Sequence, residues 1–532
     1  MLFALSPLAR ATPLALALLL AACGGEDGGS TPTGAGGGPV VDPLPVQISI
    51  APTEVSLATG ESRTFACTVT NSPQTGCLWS VDSGGGSITD GGVYTAPATA
   101  GTYRVTVRAV ANQSATASAV VRVAGGTVPP PAPGGSTPWV TGYYAGWFWD
   151  QMYPPQEVDM SAMTHFVFGR VAPGGGSLQG RPGQVVEGAG TAHQSGLSPD
   201  GSRSVEDYLV KRAHDAGIKA LLMLGGDGAD GDGFLRSTAD DVRPGFVRAI
   251  VDYLVLHNYD GVDIDWENRL EGWPEQNISA AEARRRLKAL ITEVRAEANA
   301  RPRYRGSNAP VLVTFPGYAV SINFLEPGGK VEAWQAEVAN MVDQYNLMSY
   351  GIGTAFNGAG WSSWFTGPIF GATGATPIDL DSSIKAYVAT GVPRSKIGIG
   401  IGFYGIYYGP SITGPRQSTE RNNIFEVDDV ALRYAELDRM GYLSNGTYRF
   451  DDTAKSSYRV YGAGGYIPTA DPRRNPAGFL SYEDDASIAA KGEWVRSTGV
   501  GGTILWTVNY GYLPASKTNP LLASVKRHFL AR

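Results

Sequence analysis

Between Trp139 and Trp506 eight short apolar runs recur, and helix-like segments alternate with them. The runs are Val140–Tyr144, His165–Phe168, Ala220–Leu224, Gly261–Trp266, Val311–Phe315, Gln344–Ser349, Ile397–Ile401 and Thr503–Trp506. Helices are predicted over Val205–Ala216, Pro244–His257, Ala280–Ala300 and Ser487–Thr498. Eight strands alternating with helices predict a (β/α)8 TIM barrel over 139–532. That span exceeds the ~250 residues of a plain barrel, so an insertion is expected. The longest gap, 403–479, falls between the seventh and eighth strands. It is read as an α+β insertion with a helix over Val430–Met440, forming one wall of a cleft.

The preceding residues have a different texture. Val46–Ile50, Ser62–Val69, Leu78–Val81, Tyr103–Val110 and Ala119–Val123 alternate with period two and are parted by Gly-rich turns. Residues 46–124 are therefore predicted as an all-β, immunoglobulin-like antiparallel sandwich, so the chain is multidomain. Residues 23–45 and 125–138 are rich in Gly, Ser, Thr and Pro, the composition of linkers. Leu14–Leu20 is apolar but too short to span a bilayer. It ends in Leu20-Ala21-Ala22-Cys23, which resembles the lipobox of bacterial lipoproteins. The resemblance implies a signal peptide over 1–22, lipidation of Cys23 and a membrane attachment through that lipid. The chain is then exported and held at the cell envelope, at the outer membrane or cell surface. The other two cysteines, Cys67 and Cys77, are an even pair in an oxidising compartment, and a disulfide bridging neighbouring strands is expected.

The sharpest chemical signal is Asp260-Gly261-Val262-Asp263-Ile264-Asp265-Trp266-Glu267. In a strand, side chains alternate, so Asp263, Asp265 and Glu267 share one face while Val262 and Ile264 share the other. A barrel strand points the three acids inward, rising toward the C-terminal rim where barrel enzymes hold their active sites. Like charges crowded on a buried face cannot all ionise, so at least one carboxyl keeps its proton. A carboxylic acid held neutral at the working pH is what general-acid catalysis requires. The five histidines are scattered without zinc-ligand spacing, and no metal or other cofactor is expected. The net charge of −7 without a basic block disfavours a nucleic-acid partner.

The acidic run resembles the DxxDxDxE signature of glycoside hydrolase family 18, the chitinases and their relatives. The likeness extends through Val140–Tyr144, Asn346-Leu347-Met348-Ser349-Tyr350, Phe403-Tyr404-Gly405 and Gly501–Trp506. It implies a substrate-assisted retaining hydrolase that cuts β-1,4 bonds between N-acetylglucosamine units of chitin or chito-oligosaccharides. In that scheme Glu267 protonates the glycosidic oxygen and the substrate's own acetamido oxygen attacks the anomeric carbon. Asp265 holds the acetamido N–H, Asp263 shares a proton with Asp265, and Tyr350 donates to the acetamido oxygen. Trp506 floors the pocket. Tyr404, Met348, Asp260, Tyr143, Trp147 and Trp361 are further substrate-binding candidates. The Gly398–Gly402 glycines read as close packing inside the barrel rather than a nucleotide loop. The chain departs from the family pattern at Met223, where a serine is usual, and at Gly351, where an aspartate often follows the tyrosine. An endo-β-N-acetylglucosaminidase acting on N-glycans, or a non-catalytic chitin-binding protein, would share much of this sequence. A monomer is expected.

Overall fold

The computed structural model describes residues 44–58, 62–97, 99, 101–124, 137–305, 309–319, 330–353, 361–409, 412–419, 424–426, 429–462 and 477–531. The expected signal peptide, Cys23 and nearly all of the two expected linkers lie outside the described residues. The chain divides into two compact units, 1–126 and 127–532.

The first unit is all β. Gln47–Ala51 pairs with Ala66–Thr70 in one sheet. Glu54–Ala58, Asn112–Ala124, Gly101–Ala109 and Cys77–Val81 form a second, in that order. Ser62–Thr64, Val93–Thr95 and Ser87–Ile88 form a third. Phe65, Tyr94, Val105, Val107, Ala119 and Val121 make the core between them. The expected run Ser62–Val69 is broken at Phe65, whose buried ring and N–H, bonded to the Gly92 carbonyl, mark the point where the chain changes sheets. The pairing is not wholly antiparallel, because Glu54–Ala58 runs parallel to Asn112–Ala124. A disulfide joins Cys67 to Cys77. It links strands of two different sheets rather than the neighbouring strands expected. Such a cross-link removes freedom from the unfolded chain.

The second unit is a closed parallel barrel. Its strands are β1 (Trp139–Ala145), β2 (His165–Pro173), β3 (Lys219–Gly226), β4 (Gly261–Trp266), β5 (Leu312–Gly317), β6 (Gln344–Leu347), β7 (Ile397–Gly402) and β8 (Gly502–Trp506). Each pairs in parallel with its neighbours in sequence, and β8 pairs with β1 to close the ring. The expected helices appear at Val205–Asp215, Arg243–Leu256, Ala280–Ala300 and Asp485–Thr498. The third is capped by Ser279, whose side chain accepts from the Glu282 N–H.

The two faces of the strands have different work. Outward, Val262, Ile264 and Trp266 of β4 join Leu222, Leu224, Val313 and Phe315 against Leu287, Leu290 and Ile291 of the helix layer. Inward, Tyr143, Val167, Leu221, Met223 and Ile504 fill a separate apolar plug. Three β7 glycines make room on the inner side. A Cβ at Gly400 would sit 2.6 Å from the Tyr350 ring, and one at Gly398 would strike the Asn346 side chain. The glycine run is thus close packing, as its sequence context suggested.

The region between β7 and β8 carries a five-stranded sheet of Ile406–Gly409, Ile424–Glu426, Thr447–Asp451, Ser456–Tyr461 and Gly478–Tyr482. Its helix is Tyr434–Arg439, shorter than the predicted Val430–Met440. The difference has a cause. Leu432 gives its carbonyl to the Gly405 N–H, and the Tyr434 N–H goes to the Phe403 carbonyl, so these residues bond to the end of β7 instead of coiling.

The tightest point of β4 is its first residue. Gly261 lies opposite Leu312, and a Cβ there would collide with the Leu312 carbonyl oxygen and side chain. Gly261→Ala should therefore lower stability by about 1–3 kcal/mol through overpacking. Urea unfolding followed by tryptophan fluorescence checks this, and an unchanged midpoint would contradict it.

Candidate active site

Strand β4 sets the site. With β3 and β5 on either side, it is anchored outward by Val262, Ile264 and Trp266, none of which has measurable exposure. The pleat then leaves Asp263 and Asp265 no direction but inward. Both are buried, while Glu267, just past the strand end, is half-buried at the C-terminal rim.

Asp263 is fully paired. One oxygen accepts the Tyr143 hydroxyl at 2.8 Å and the other accepts the Thr314 hydroxyl. Burial pushes its pKa up to about 6, against the pull of those two hydroxyls. Met223 stands beside it in register on β3 and belongs to the apolar plug. The hydroxyl missing at Met223 is therefore matched by Thr314 from β5.

Asp265 is held well above the usual carboxylate range, first by burial and then by the charges of Glu267 and Asp263; Arg170 opposes this. Its Oδ1 is buried and has no hydrogen-bond partner among the described residues. Asp265 is hydrogen-bonded to Glu267, whereas both oxygens of Asp263 are taken by hydroxyls. Burial raises Glu267 to about 8, helped by the charges of Asp227 and Asp263. The adjoining Gly225 has φ +98°, and a Cβ there would press on the Phe234 ring, so glycine is required where β3 turns past Asp265.

Tyrosines and tryptophans surround the acids. Tyr350 is half-buried, and its hydroxyl pKa is raised by burial and by the charges of Glu267 and Asp265. Tyr404 meets the Tyr350 ring edge-on at 6.1 Å. Trp506 is half-buried, with its ring 5.7 Å from Tyr143 and 6.4 Å from Trp147. Met348 is half-buried on the same β6 extension as Tyr350.

One sequence candidate lies elsewhere, and another, Trp361, is buried. Asp260 sits before β4, at the opposite strand end from Glu267. It accepts from His214 and the Ala220 N–H at 2.9 Å and pairs with Lys219 and Arg303. It ties β3, β4 and the helix layer together at the base of the barrel. Trp361 is buried, as are Trp364, Tyr407 and Tyr408, whose rings pack inside the unit rather than facing a cleft. Three residues near the acids went unnoticed in the sequence: Thr314, Asp227 and Asp429. The alternation Val313-Thr314-Phe315 was signal enough for the first. Among the described residues no group of His, Cys, Asp or Glu is arranged to hold a metal ion.

The sequence profile of the glycosyl hydrolases family 18 matches residues 140–511, most of the chain. The chain belongs to glycosyl hydrolase family 18. Chitinase A1 of Niallia circulans is 25% identical over 288 residues, which is 50% of this chain and 37% of that protein. Chitinase 1 of Aphanocladium album is 25% identical over 311 residues, 56% of this chain and 63% of the relative. The chain thus spans less than two thirds of the length of either curated relative. The class V chitinase structure from Nicotiana tobaccum aligns with TM-score 0.55 at 19% identity, covering 74% of this chain and 99% of that one. That likeness is one of fold.

The electrostatics of a family 18 site of this kind set a pH dependence. An acid must carry its proton to donate it, so with Glu267 as the proton donor, activity is expected to fall as pH rises through its raised value, about 8. The alkaline limb of kcat/KM should fall near there. Asp227→Asn removes a charge that raises Glu267, so the limb should move to lower pH. A limb that stays in place, or moves to higher pH, would contradict this electrostatic assignment.

Proposed function

We propose that this chain is a chitinase, hydrolysing β-1,4 linkages between N-acetylglucosamine units by a substrate-assisted retaining mechanism. The observation that carries the reading is the buried Asp265 Oδ1 beside Glu267. A buried acceptor without a donor is costly, and a substrate amide N–H supplies the missing donor. The 2-acetamido group of an N-acetylhexosamine brings that N–H within reach of the acid that protonates the leaving oxygen.

In this reading Glu267 donates its proton to the glycosidic oxygen as the C1–O bond breaks. The acetamido carbonyl oxygen of the same sugar attacks C1 and forms an oxazolinium ion. Asp265 accepts the amide N–H through Oδ1, and Asp263, locked by Tyr143 and Thr314, keeps Asp265 in a crowded acidic field. Tyr350 donates to the acetamido oxygen. Trp506 lies under the reacting sugar, whose C–H face suits an aromatic plane. Glu267, now ionised, takes a proton from water as that water opens the ring. This departs from the two-carboxylate scheme of most glycosidases.

The remaining assignments belong to the same proposal. Residues 46–124 are an immunoglobulin-like spacer. The signal peptide and Cys23 make the protein an exported lipoprotein of the cell envelope. Their support is the Leu20–Cys23 sequence and the Cys67–Cys77 bond, which an oxidising compartment permits.

The test is mass spectrometry of products from chito-oligosaccharides, with the wild type beside Glu267→Gln. Short N-acetylglucosamine oligomers from the wild type, and a loss of at least about a hundredfold in the variant, are expected for removal of a general acid. Equal turnover by the two proteins would remove Glu267 from its role. Cleavage of a glycoprotein's N-glycan but not of chito-oligosaccharides would favour the endo-β-N-acetylglucosaminidase reading.

A further inference from the structure

Asp429 belongs to the insertion, in the stretch before the Tyr434–Arg439 helix, yet it reaches the barrel mouth. Its Oδ2 accepts the Trp506 indole N–H at 2.9 Å and the Tyr510 hydroxyl at 3.2 Å. Its charge also acts on the hydroxyls of Tyr350 and Tyr404 and raises both. It therefore stands among the aromatic residues of the site.

Its placement is firm. The Gly405 N–H bonds to the Leu432 carbonyl, the Tyr434 N–H to the Phe403 carbonyl, and the Phe403 N–H to the Trp506 carbonyl. The backbone after Asp429 is thus laced to the end of β7, which is itself bonded to the end of β8. Asp429 itself is half-buried. No hydrogen bond to Oδ1 is found among the described residues, so that oxygen can still accept one. A carboxylate oxygen beside a sugar-stacking indole is suited to a hydroxyl donor, because an ionised acceptor makes the stronger hydrogen bond. Gly351, the residue after Tyr350, has φ 62° and no side chain to offer there.

We propose that Asp429 is a substrate-holding residue contributed by the insertion. Oδ1 accepts a hydroxyl of the N-acetylhexosamine seated on Trp506, while Oδ2 fixes the indole beneath that sugar. The proposal rests on the chitinase reading above and adds the residue that fastens the reacting sugar to the insertion. It also gives the insertion a direct part in binding, and accounts for a site that works without a carboxylate at 351.

The test is isothermal titration of the N-acetylglucosamine tetramer into full-length Glu267→Gln protein, with and without a second change. Adding Asp429→Ala should weaken binding roughly 10- to 100-fold, the range for losing a hydrogen bond to a charged group. Asp429→Asn, which keeps an acceptor oxygen, should fall between. A purely structural role, exerted through the indole, is separated by repeating the comparison with Trp506→Phe, which has no indole N–H. There Asp429→Ala should still weaken binding several-fold. Thermal denaturation identifies any variant that has lost its fold, and Asp429→Asn then carries the comparison. Unchanged affinity in folded Asp429→Ala protein overturns the proposal, as does no further loss in the Trp506→Phe background. If the Glu267→Gln protein itself binds no tetramer, the chitinase reading falls, and the proposal falls with it.

Discussion

The constraint on which the rest of the second unit depends is the confinement of three carboxyl groups to one face of one strand. Removing Asp263 and Asp265 from water is costly, and crowding them beside Glu267 adds repulsion. The strand tolerates this because its other face is anchored. Val262, Ile264 and Trp266 bury apolar surface against the helix layer, and each full burial of a large side chain contributes about 1.5–3 kcal/mol. The strain is also relieved locally. Tyr143 and Thr314 satisfy Asp263, and protons remain on groups that would otherwise be charged. The same crowding that opposes folding supplies a neutral acid near neutral pH.

Much of this was legible in the sequence because the two strongest signals are local. All eight barrel strands follow from apolar runs, and the inward set Asp263, Asp265 and Glu267 follows from the period of two. The grouping of Tyr143, Tyr350, Tyr404 and Trp506 around those acids rested on motif resemblance, and the structure brings their side chains together. Asp260 shows where motif membership misleads. It belongs to the same eight-residue run, but six strand residues separate it from the rim, and its partners His214, Lys219 and Arg303 belong to the barrel's base. Trp361 misled for another reason: an aromatic after a strand can face a cleft or a core, and sequence does not distinguish them.

What sequence could not supply is pairing across long separations. Asp429 lies 77 residues before Trp506, in an insertion whose own fold has no sharp motif. Thr314 lies 51 residues after Asp263, and the loss of a hydroxyl at Met223 draws attention to β3 rather than to β5. In the first unit, the disulfide between different sheets and the parallel Glu54–Ala58 pairing are likewise products of topology. Period-two patterning gives strands, but it does not say which strand lies beside which.

The account's central claim is that the substrate's acetamido oxygen, and not a water molecule, first attacks the anomeric carbon above Asp265 and Glu267. Two successive displacements at one carbon preserve its configuration. The most direct test is proton NMR of a chito-oligosaccharide digest recorded within the first minutes, before the new reducing ends equilibrate. The account predicts that the new ends appear as the β anomer and only later drift toward the equilibrium mixture. New ends that appear first as the α anomer would show single-step inversion by water and would contradict it.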